Sequence, residues 1–342
     1  TEIPPSIVVD TLLDYIGRED FVVKHPLHGF SSRYQKDNKR LFTYLYAGES
    51  TEFPPKTKAT EELTEISVNS FVKFFEHPIE WYFNNILGIK YEESEVTLPE
   101  SELFELDQLQ KWRIKNDLIR LKGEETDSYL QKNIKEGLLP LKNLGKLVFD
   151  ELVEETENIK TTYQALTNDK DEQNIVIDIP IDKIRIRGNI GDVYDRKYIA
   201  CSFSKTNEKN LVRAYLRTIL LCINNEIDSA LLINIDGTTN GLTVLSSDDA
   251  QLKLKELLVY FRKGMCAPLK FTLKATKIPR GHKELSIDTV LNSFQEEANG
   301  NYQYGPNKYM QNLTHEGYFK DFDDDDLKEL KILANLLNLT TS

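Results

Sequence analysis

Apolar and polar residues alternate near the middle of the chain and predict a β-strand there. The apolar positions and the charged positions between them are Ile184, Arg185, Ile186, Arg187 and Ile190. A period of two with β-branched side chains is typical of a strand with one buried face. Residues 197–203 predict a second strand, and Asp195-Arg196 predicts the short turn between the two.

Apolar residues spaced by three and four predict helices around these strands. After residue 208 the stripe comprises Leu211, Tyr215, Ile219 and Cys222. A second, aromatic stripe runs through residues 66–89, where His77-Pro78 predicts a break between two helices, with Ser67 or Asn69 as the first cap. Residues 138–153 predict a loop and then an amphipathic helix through Leu147, Val148 and Leu152, whose end and a following loop are expected within residues 154–174.

Two more strands and two more helices are predicted along the chain. Residues 230–235 form an apolar run typical of a buried strand, and residues 242–245 are expected to pair beside it. Asp248-Asp249 is expected to cap a helix that continues through Phe261. The acidic residues 321–326 are expected to cap a terminal helix at 327–339, because carboxylates stabilise the positive end of a helix.

Composition indicates a protein without membrane spans. The 342 residues are 40% hydrophobic and 29% charged, and no apolar run approaches the roughly 18 residues of a membrane helix. The net charge of −12 argues against a protein that wraps nucleic acid nonspecifically. A local basic patch can still bind DNA in an acidic protein, because binding follows the local potential more than the net charge. Three scattered cysteines indicate reduced thiols and a cytoplasmic location. The chain begins without Met and is expected to be part of a longer protein.

The strand–turn–strand–helix unit resembles the core of the RecB-family nucleases in the PD-(D/E)XK superfamily. Those cores carry a GxID-V strand, a V-D-Y-K strand and a Q-x-x-x-Y helix. The resemblance implies an α/β, restriction-endonuclease-like core sheet flanked by helices, with helical insertions and an N-terminal extension. It also implies a division into an N-terminal segment at residues 1–60 and a nuclease-like domain at 61–342.

The resemblance implies that the catalytic residues are replaced. Gly191 stands at the metal-binding Asp, and Phe149 stands at the catalytic His. The acid and lysine of the second strand fall on Cys201 and Phe203, or on Ser202 and Ser204 if the register shifts by one residue. The Gln and Tyr of the helix correspond to Arg213 and Arg217. A nuclease-like core without its metal-binding and catalytic side chains implies a pseudonuclease.

Residues 257–271, LLVYFRKGMCAPLKF, are similar to the RecC pattern LL-x-x-Y-R-x-G-M-x-x-P-L-x-F. The chain therefore resembles the carboxy-terminal domain family of RecC, the gamma subunit of exodeoxyribonuclease V. That family implies a non-catalytic role in double-strand break repair by recombination, through partner docking, duplex splitting and strand guidance. The implied partners are RecB-like and RecD-like subunits and double- and single-stranded DNA, with no membrane and no cofactor.

Two other interpretations remain open: an active metal-dependent nuclease with migrated residues, and an unrelated α/β interaction domain. The migrated residues would be Asp178, Asp182, Asp192 and Lys205. Neighbours on a strand face opposite sides, so Asp192 is expected to point away from the site unless a register shift or bulge occurs at Gly191.

Metal and DNA contacts are the last expectations. In iron–sulfur relatives a cysteine ligand precedes the proline that matches Pro78. His77 occupies that position in this chain, and no group of cysteines follows near the end. Neither an iron–sulfur cluster nor a structural metal is therefore expected.

DNA is expected to contact two groups of basic residues. They are Lys205, Lys209, Arg213 and Arg217, then Lys274, Lys277, Arg280 and Lys283. A helix face paired with local acids is the alternative for Arg213 and Arg217.

Overall fold

The computed structural model describes residues 64–91, 106–122, 125–140, 142–167, 170–205, 207–300 and 306–339, with parts of 6–34. The chain divides into two compact units, residues 1–53 and 54–342. In the first unit, helix α1 (Ile7–Ile16) ends at Gly17, whose φ of 65° closes the helix. The boundary expected at 60/61 lies outside the described residues.

The second unit contains a mixed sheet of six strands among its described residues. They are β1 (Glu65–Ser67), β2 (Gln173–Ile181), β3 (Ile184–Tyr194), β4 (Lys197–Cys201), β5 (Ser229–Ile233) and β6 (Thr239–Leu242). Antiparallel β2 follows one edge of β3. Parallel β1 and antiparallel β4 pair with opposite ends of β3, and β4 continues to parallel β5 and then antiparallel β6. Strand β3 is therefore the centre of the sheet.

Helices surround the sheet. They are α2 (Val68–Glu76), α3 (Pro78–Asn85), α4 (Gln108–Leu118), α5 (Glu125–Lys135), α6 (Lys142–Thr167), α7 (Glu208–Ile223), α8 (Ser247–Cys266), α9 (Ile287–Asn299), α10 (Lys308–His315) and α11 (Asp324–Leu336). Helix α7 connects β4 with its parallel neighbour β5, as parallel pairing requires a crossover. Across the described part of the chain, none of these helices is long and apolar enough to cross a membrane.

The central predictions of secondary structure are confirmed, with differences at element ends. Strand β4 ends at Cys201 rather than at residue 203, and α11 covers Asp324–Leu336 rather than 327–339. Helix α6 continues to Thr167, so the polar stretch after residue 153 is mostly helix rather than loop. Strand β6 ends at Leu242 instead of beginning there. Ser246, not the Asp248-Asp249 pair, caps α8: its hydroxyl accepts the N–H of Asp249 at 3.1 Å.

Aromatic rings join α2, α3 and α8 on one side of the sheet. Phe74 lies in the middle, with its ring centroid 4.8 Å from Phe261 and 5.3 Å from Trp81. A Cβ added at Gly264 would lie 2.4 Å from Phe74 Cζ, closer than carbon atoms can approach. Gly264, one of the residues that carry the RecC resemblance, is therefore required for close contact between α8 and α2.

We predict that Gly264→Ala lowers the free energy of unfolding by about 1–3 kcal/mol, because the added methyl group overpacks a fully buried ring. The sign is informative, since Gly→Ala within a helix otherwise stabilises by about 1 kcal/mol. Urea denaturation measures the change. Gly241→Ala is the control, because nothing lies within 4 Å of its added Cβ. Equal or greater stability of Gly264→Ala contradicts the packing argument.

Candidate pseudoactive site

A β-bulge interrupts β3 at the position that the nuclease resemblance assigns to the metal ligand. Ile190 pairs with Ile175 and Val193 pairs with Gln173, so β3 uses one more residue than β2 over this step. The extra length falls on Gly191 and Asp192, and Asp192 has a φ of 58°. A left-handed residue within a bulge breaks the alternation of side chains, so Gly191 and Asp192 need not face opposite sides.

Asp192 lies against the same residues as the neighbouring Gly191. Its carboxylate accepts a hydrogen bond from Arg120 Nη2 at 2.5 Å, and its backbone N–H donates to Glu172 Oε1 at 2.9 Å. A Cβ at Gly191 would lie 2.7 Å from the same Glu172 oxygen. The bulge at Gly191, the stated exception to the expectation that Asp192 points away, is present and turns Asp192 inward.

Arg120, just after the end of α4, binds this group of acids. Its Nη1 donates to the carbonyl and the side-chain oxygens of Asn116, each at 2.9 Å, and its Nε lies 3.9 Å from Glu172 Oε2. A cavity of about 450 Å³ opens beside it, with Tyr163 and Tyr194 in its wall. The hydroxyls of these tyrosines hydrogen-bond to each other. A guanidinium thus lies among the carboxylates of this edge.

Burial governs the protonation of this site. Burial raises the pKa of Asp192; the charge of Arg120 opposes the rise, the charge of Glu172 adds to it, and the net shift is upward. Burial, with a smaller contribution from Asp192, raises the pKa of the Cys201 thiol to about 12. Cys201 is therefore a neutral thiol at physiological pH, whereas a metal ligand there would have to be a thiolate.

The other predicted replacements lie where packing, not chemistry, determines the side chain. Phe149 is buried in α6 and its ring lies 6.2 Å from that of Tyr129. Phe203 follows β4 and contacts Trp112 edge to face. The alternative register positions also make only local contacts. The hydroxyls of Ser202 and Ser204 lie 3.0 Å apart and hydrogen-bond to the side chains of Asn207 and Asn210.

The two further acids that the nuclease interpretation requires are bound elsewhere. Asp178 accepts from Arg185 Nε at 2.6 Å on the exposed face of the sheet. Asp182 lies in the turn between β2 and β3, 3.5 Å from Arg262. In the part of the chain that the structure describes, no three His, Cys, Asp or Glu side chains are arranged to hold a metal ion.

Four of the eight basic residues predicted to meet DNA make contacts with acids. Arg213 forms two hydrogen bonds, of 2.6 and 3.0 Å, to the buried carboxylate of Glu76, and Lys209 lies 4.0 Å from the same group. Arg217 donates to Asn69. The ion pairs of the second group are Lys274–Glu296 and Lys277–Glu208. Lys205, Arg280 and Lys283 are exposed.

Sequence reasoning did not find Arg120 or Glu172. Arg120 is 72 residues from Asp192, and Glu172 is 20 residues from it, so no local spacing connects the three. The Gly191-Asp192 dipeptide is the one available signal, because both residue types tolerate the left-handed conformation that a bulge often needs.

We predict that Arg120→Met lowers the free energy of unfolding by about 1–3 kcal/mol, because it leaves the partly buried Asp192 carboxylate without its ion-pair partner. Adding Asp192→Asn should restore part of the loss. Chemical denaturation of the single and double variants measures the coupling. Lys328→Met is the control, since its pair with Asp325 is exposed and should change stability by less than about 0.5 kcal/mol.

The coupling should depend on pH. Because the folded pKa of Asp192 is raised, the folded state retains this proton better than the unfolded state, so stability is lost as pH rises through the folded pKa. Without Arg120 the pKa rises further. Arg120→Met and Arg120→Met/Asp192→Asn should thus be equally stable at acidic pH and diverge as pH rises. A difference that stays constant with pH contradicts an ionised Asp192 as its source.

Comparisons with known proteins agree with the RecC resemblance. The family model described as the RecC C-terminal domain matches residues 63–277. A relative from Haemophilus influenzae, "RecBCD enzyme subunit RecC", is 23% identical over 300 residues, which cover 80% of this chain and 26% of that protein. The protein of the same name from Escherichia coli K12 is 21% identical, covering 78% and 26%. This chain spans about a quarter of the length of these relatives. The chain belongs to the RecC C-terminal domain family.

Proposed function

We propose that the chain is a non-catalytic, structural and DNA-handling domain of a RecC subunit in a RecBCD helicase–nuclease. In this role it acts in double-strand break repair by recombination, where it docks RecB-like and RecD-like subunits and contributes to duplex splitting and strand guidance. The names of the relatives, "RecBCD enzyme subunit RecC", support the assembly. The chemistry of the bulged edge of the sheet supports the non-catalytic part.

The contact between Arg120 and Asp192 carries the non-catalytic proposal. Phosphodiester cleavage by PD-(D/E)XK enzymes needs carboxylates that bind a divalent metal ion near the attacking water. Here the inward carboxylate binds a guanidinium at 2.5 Å, and the neighbouring Cys201 is a neutral thiol. A fixed positive charge thus satisfies the acids without a metal ion.

We propose that the sheet is a PD-(D/E)XK core. The antiparallel pair β3–β4, then α7, then the parallel strand β5, follows the strand–turn–strand–helix order of the resemblance. The bulge at Gly191 and the loop after Cys201 fall where that superfamily places its ligands. Retained geometry with replaced side chains is what a pseudonuclease requires.

Active cleavage with migrated residues is the second candidate, and one observation favours it. The bulge at Gly191 that this function requires is present, and it brings Asp192 towards Cys201 and Glu172. Against it, Asp178 and Asp182 bind arginines elsewhere. Lys205 lies beyond the strand and is exposed; hydrogen bonds from Thr238 lower the pKa of Asp236, and the charge of Lys205 makes a smaller contribution.

A cleavage assay separates the two functions. We predict that the purified chain leaves linear single- and double-stranded DNA intact with magnesium or manganese, because the metal ligands are replaced. Gel electrophoresis after incubation is the measurement, with Asp192→Ala as the matched variant. Metal-dependent degradation that Asp192→Ala abolishes would overturn the pseudonuclease proposal in favour of migrated residues. Degradation by the purified chain that Asp192→Ala does not affect would also overturn it, through residues other than Asp192.

DNA affinity should depend on the cations that are outside short ion pairs. In the assembled complex, we predict that Lys205→Gln, Arg280→Gln and Lys283→Gln each lower the slope of log affinity against log salt by about 0.7–0.9, the value of one phosphate contact. Arg213→Gln and Lys277→Gln should change it less, because their charges already face Glu76 and Glu208.

Salt titration of DNA affinity measures the slopes, with exposed Lys255→Gln as the control. If Arg213→Gln and Lys277→Gln reduce the slope while the other three variants do not, the paired residues contact phosphate, and the assignment to unpaired cations is wrong.

A further inference from the structure

An exposed aromatic residue lies beside the pseudoactive edge and takes no part in the core. Trp112, on α4, is 50% exposed, and Leu109, one helical turn before it, is 73% exposed. The chain has two tryptophans, and the other, Trp81, is buried and donates its indole N–H to Ser70. A large amphipathic ring left in water at this place indicates a binding surface.

The ring of Phe203 supports the indole. Their centroids lie 6.3 Å apart with an interplanar angle of 81°, so one ring meets the other edge to face. Phe203 is partly buried against the cluster that includes Ile199 and Ile233 at the end of the sheet. The indole is therefore anchored on the loop that leaves β4, and it still presents half of its surface to solvent.

Cationic residues adjoin both rings in the chain. Lys111 and Arg113 lie on either side of Trp112 around α4, and Lys205 is two residues after Phe203. Among the described residues, no carboxylate lies within ion-pairing distance of these three cations. The contrast is with Arg213, Lys274 and Lys277, whose charges are paired. In a chain of net charge −12, cations outside these ion pairs thus adjoin an exposed aromatic residue along the chain.

We infer that Trp112, supported by Phe203, is a stacking platform for the bases of single-stranded DNA, with Lys111, Arg113 and Lys205 contacting the phosphates. Aromatic surface flanked by unpaired cations fits a single strand, since every base has a face that can stack and every nucleotide carries a negative charge. A duplex hides its base faces and does not fit the indole. This inference rests on the proposed role in DNA handling and gives that role a specific site.

Tryptophan fluorescence of the full 342-residue chain tests the platform directly. Titration with oligothymidylate of about 16 nucleotides should quench the emission of Trp112, while Trp81, in the core, keeps its signal. Trp112→Phe should remove the quenching and retain most of the affinity, because phenylalanine still stacks. Trp112→Ala, followed by anisotropy of a labelled oligonucleotide, should weaken binding by roughly 5- to 150-fold for one lost stack.

Two controls separate stacking from general effects. Leu252→Ala removes an apolar side chain of similar exposure, 59%, from α8 and should leave the affinity unchanged. Arg113→Gln should lower the salt slope by about 0.7, the single-strand value for one phosphate contact, without changing the quenching amplitude at saturation.

The outcomes distinguish this inference from the proposed function. Unquenched emission, or equal affinity of Trp112→Ala and the unchanged chain, overturns the platform and leaves the pseudonuclease proposal intact. Loss of affinity for a RecB-like subunit in Trp112→Ala, with single-strand affinity unchanged, assigns the surface to a protein partner and also overturns it. Metal-dependent cleavage that requires Asp192 overturns the proposed function without affecting the stacking measurement.

Discussion

The pairing of β3 along both of its edges is the constraint on which the rest of this structure depends. Strand β2 follows one edge over almost its whole length, while β1 pairs with residues 185–187 and β4 with residues 193–194 of the other. A strand held at both ends in this way cannot slip, so the extra residue at Gly191–Asp192 is fixed in place. The bulge determines which side chains meet Arg120 and Glu172, and thereby the chemistry of this edge.

The interior of the sheet could be predicted because its signals are local. The alternation of Ile184 and Ile186 with arginines, and the stripe from Leu211 to Cys222, each express one buried face. Element ends were less accurate, as α6 illustrates: α6 continues to Thr167 through a polar sequence, since Ile159 and Tyr163 pack against the sheet while other residues of that turn face water. Tertiary packing, not local propensity, sets that boundary.

The candidate site could be predicted only in part, for a related reason. The positions proposed to lack catalytic groups come from the resemblance, but the direction of Asp192 depends on a bulge that changes the alternation of side chains for one step. Glu172 and Arg120 come from distant segments, and only the fold brings them together. The predicted DNA contacts depend on distant segments in the same way. Arg213 was expected to contact DNA from its position in the sequence, yet in the structure it forms hydrogen bonds with Glu76 on α2.

Replacing catalytic groups by apolar ones changes stability as well as chemistry. Carboxylates gathered for a metal ion repel one another when the metal is absent, and active sites store this cost for the sake of function. In the pseudonuclease proposed here, Phe149 adds a buried ring beside Tyr129, and Phe203 packs against the sheet and supports Trp112. On the pseudonuclease proposal, replacement at these two positions would remove hydrolysis and add apolar packing, with Phe149 in the cluster of α4 and α6 and Phe203 at the end of the sheet. A surface of this kind can hold a strand by stacking while leaving its phosphodiester bonds intact, which is the requirement for a domain that guides DNA without cutting it.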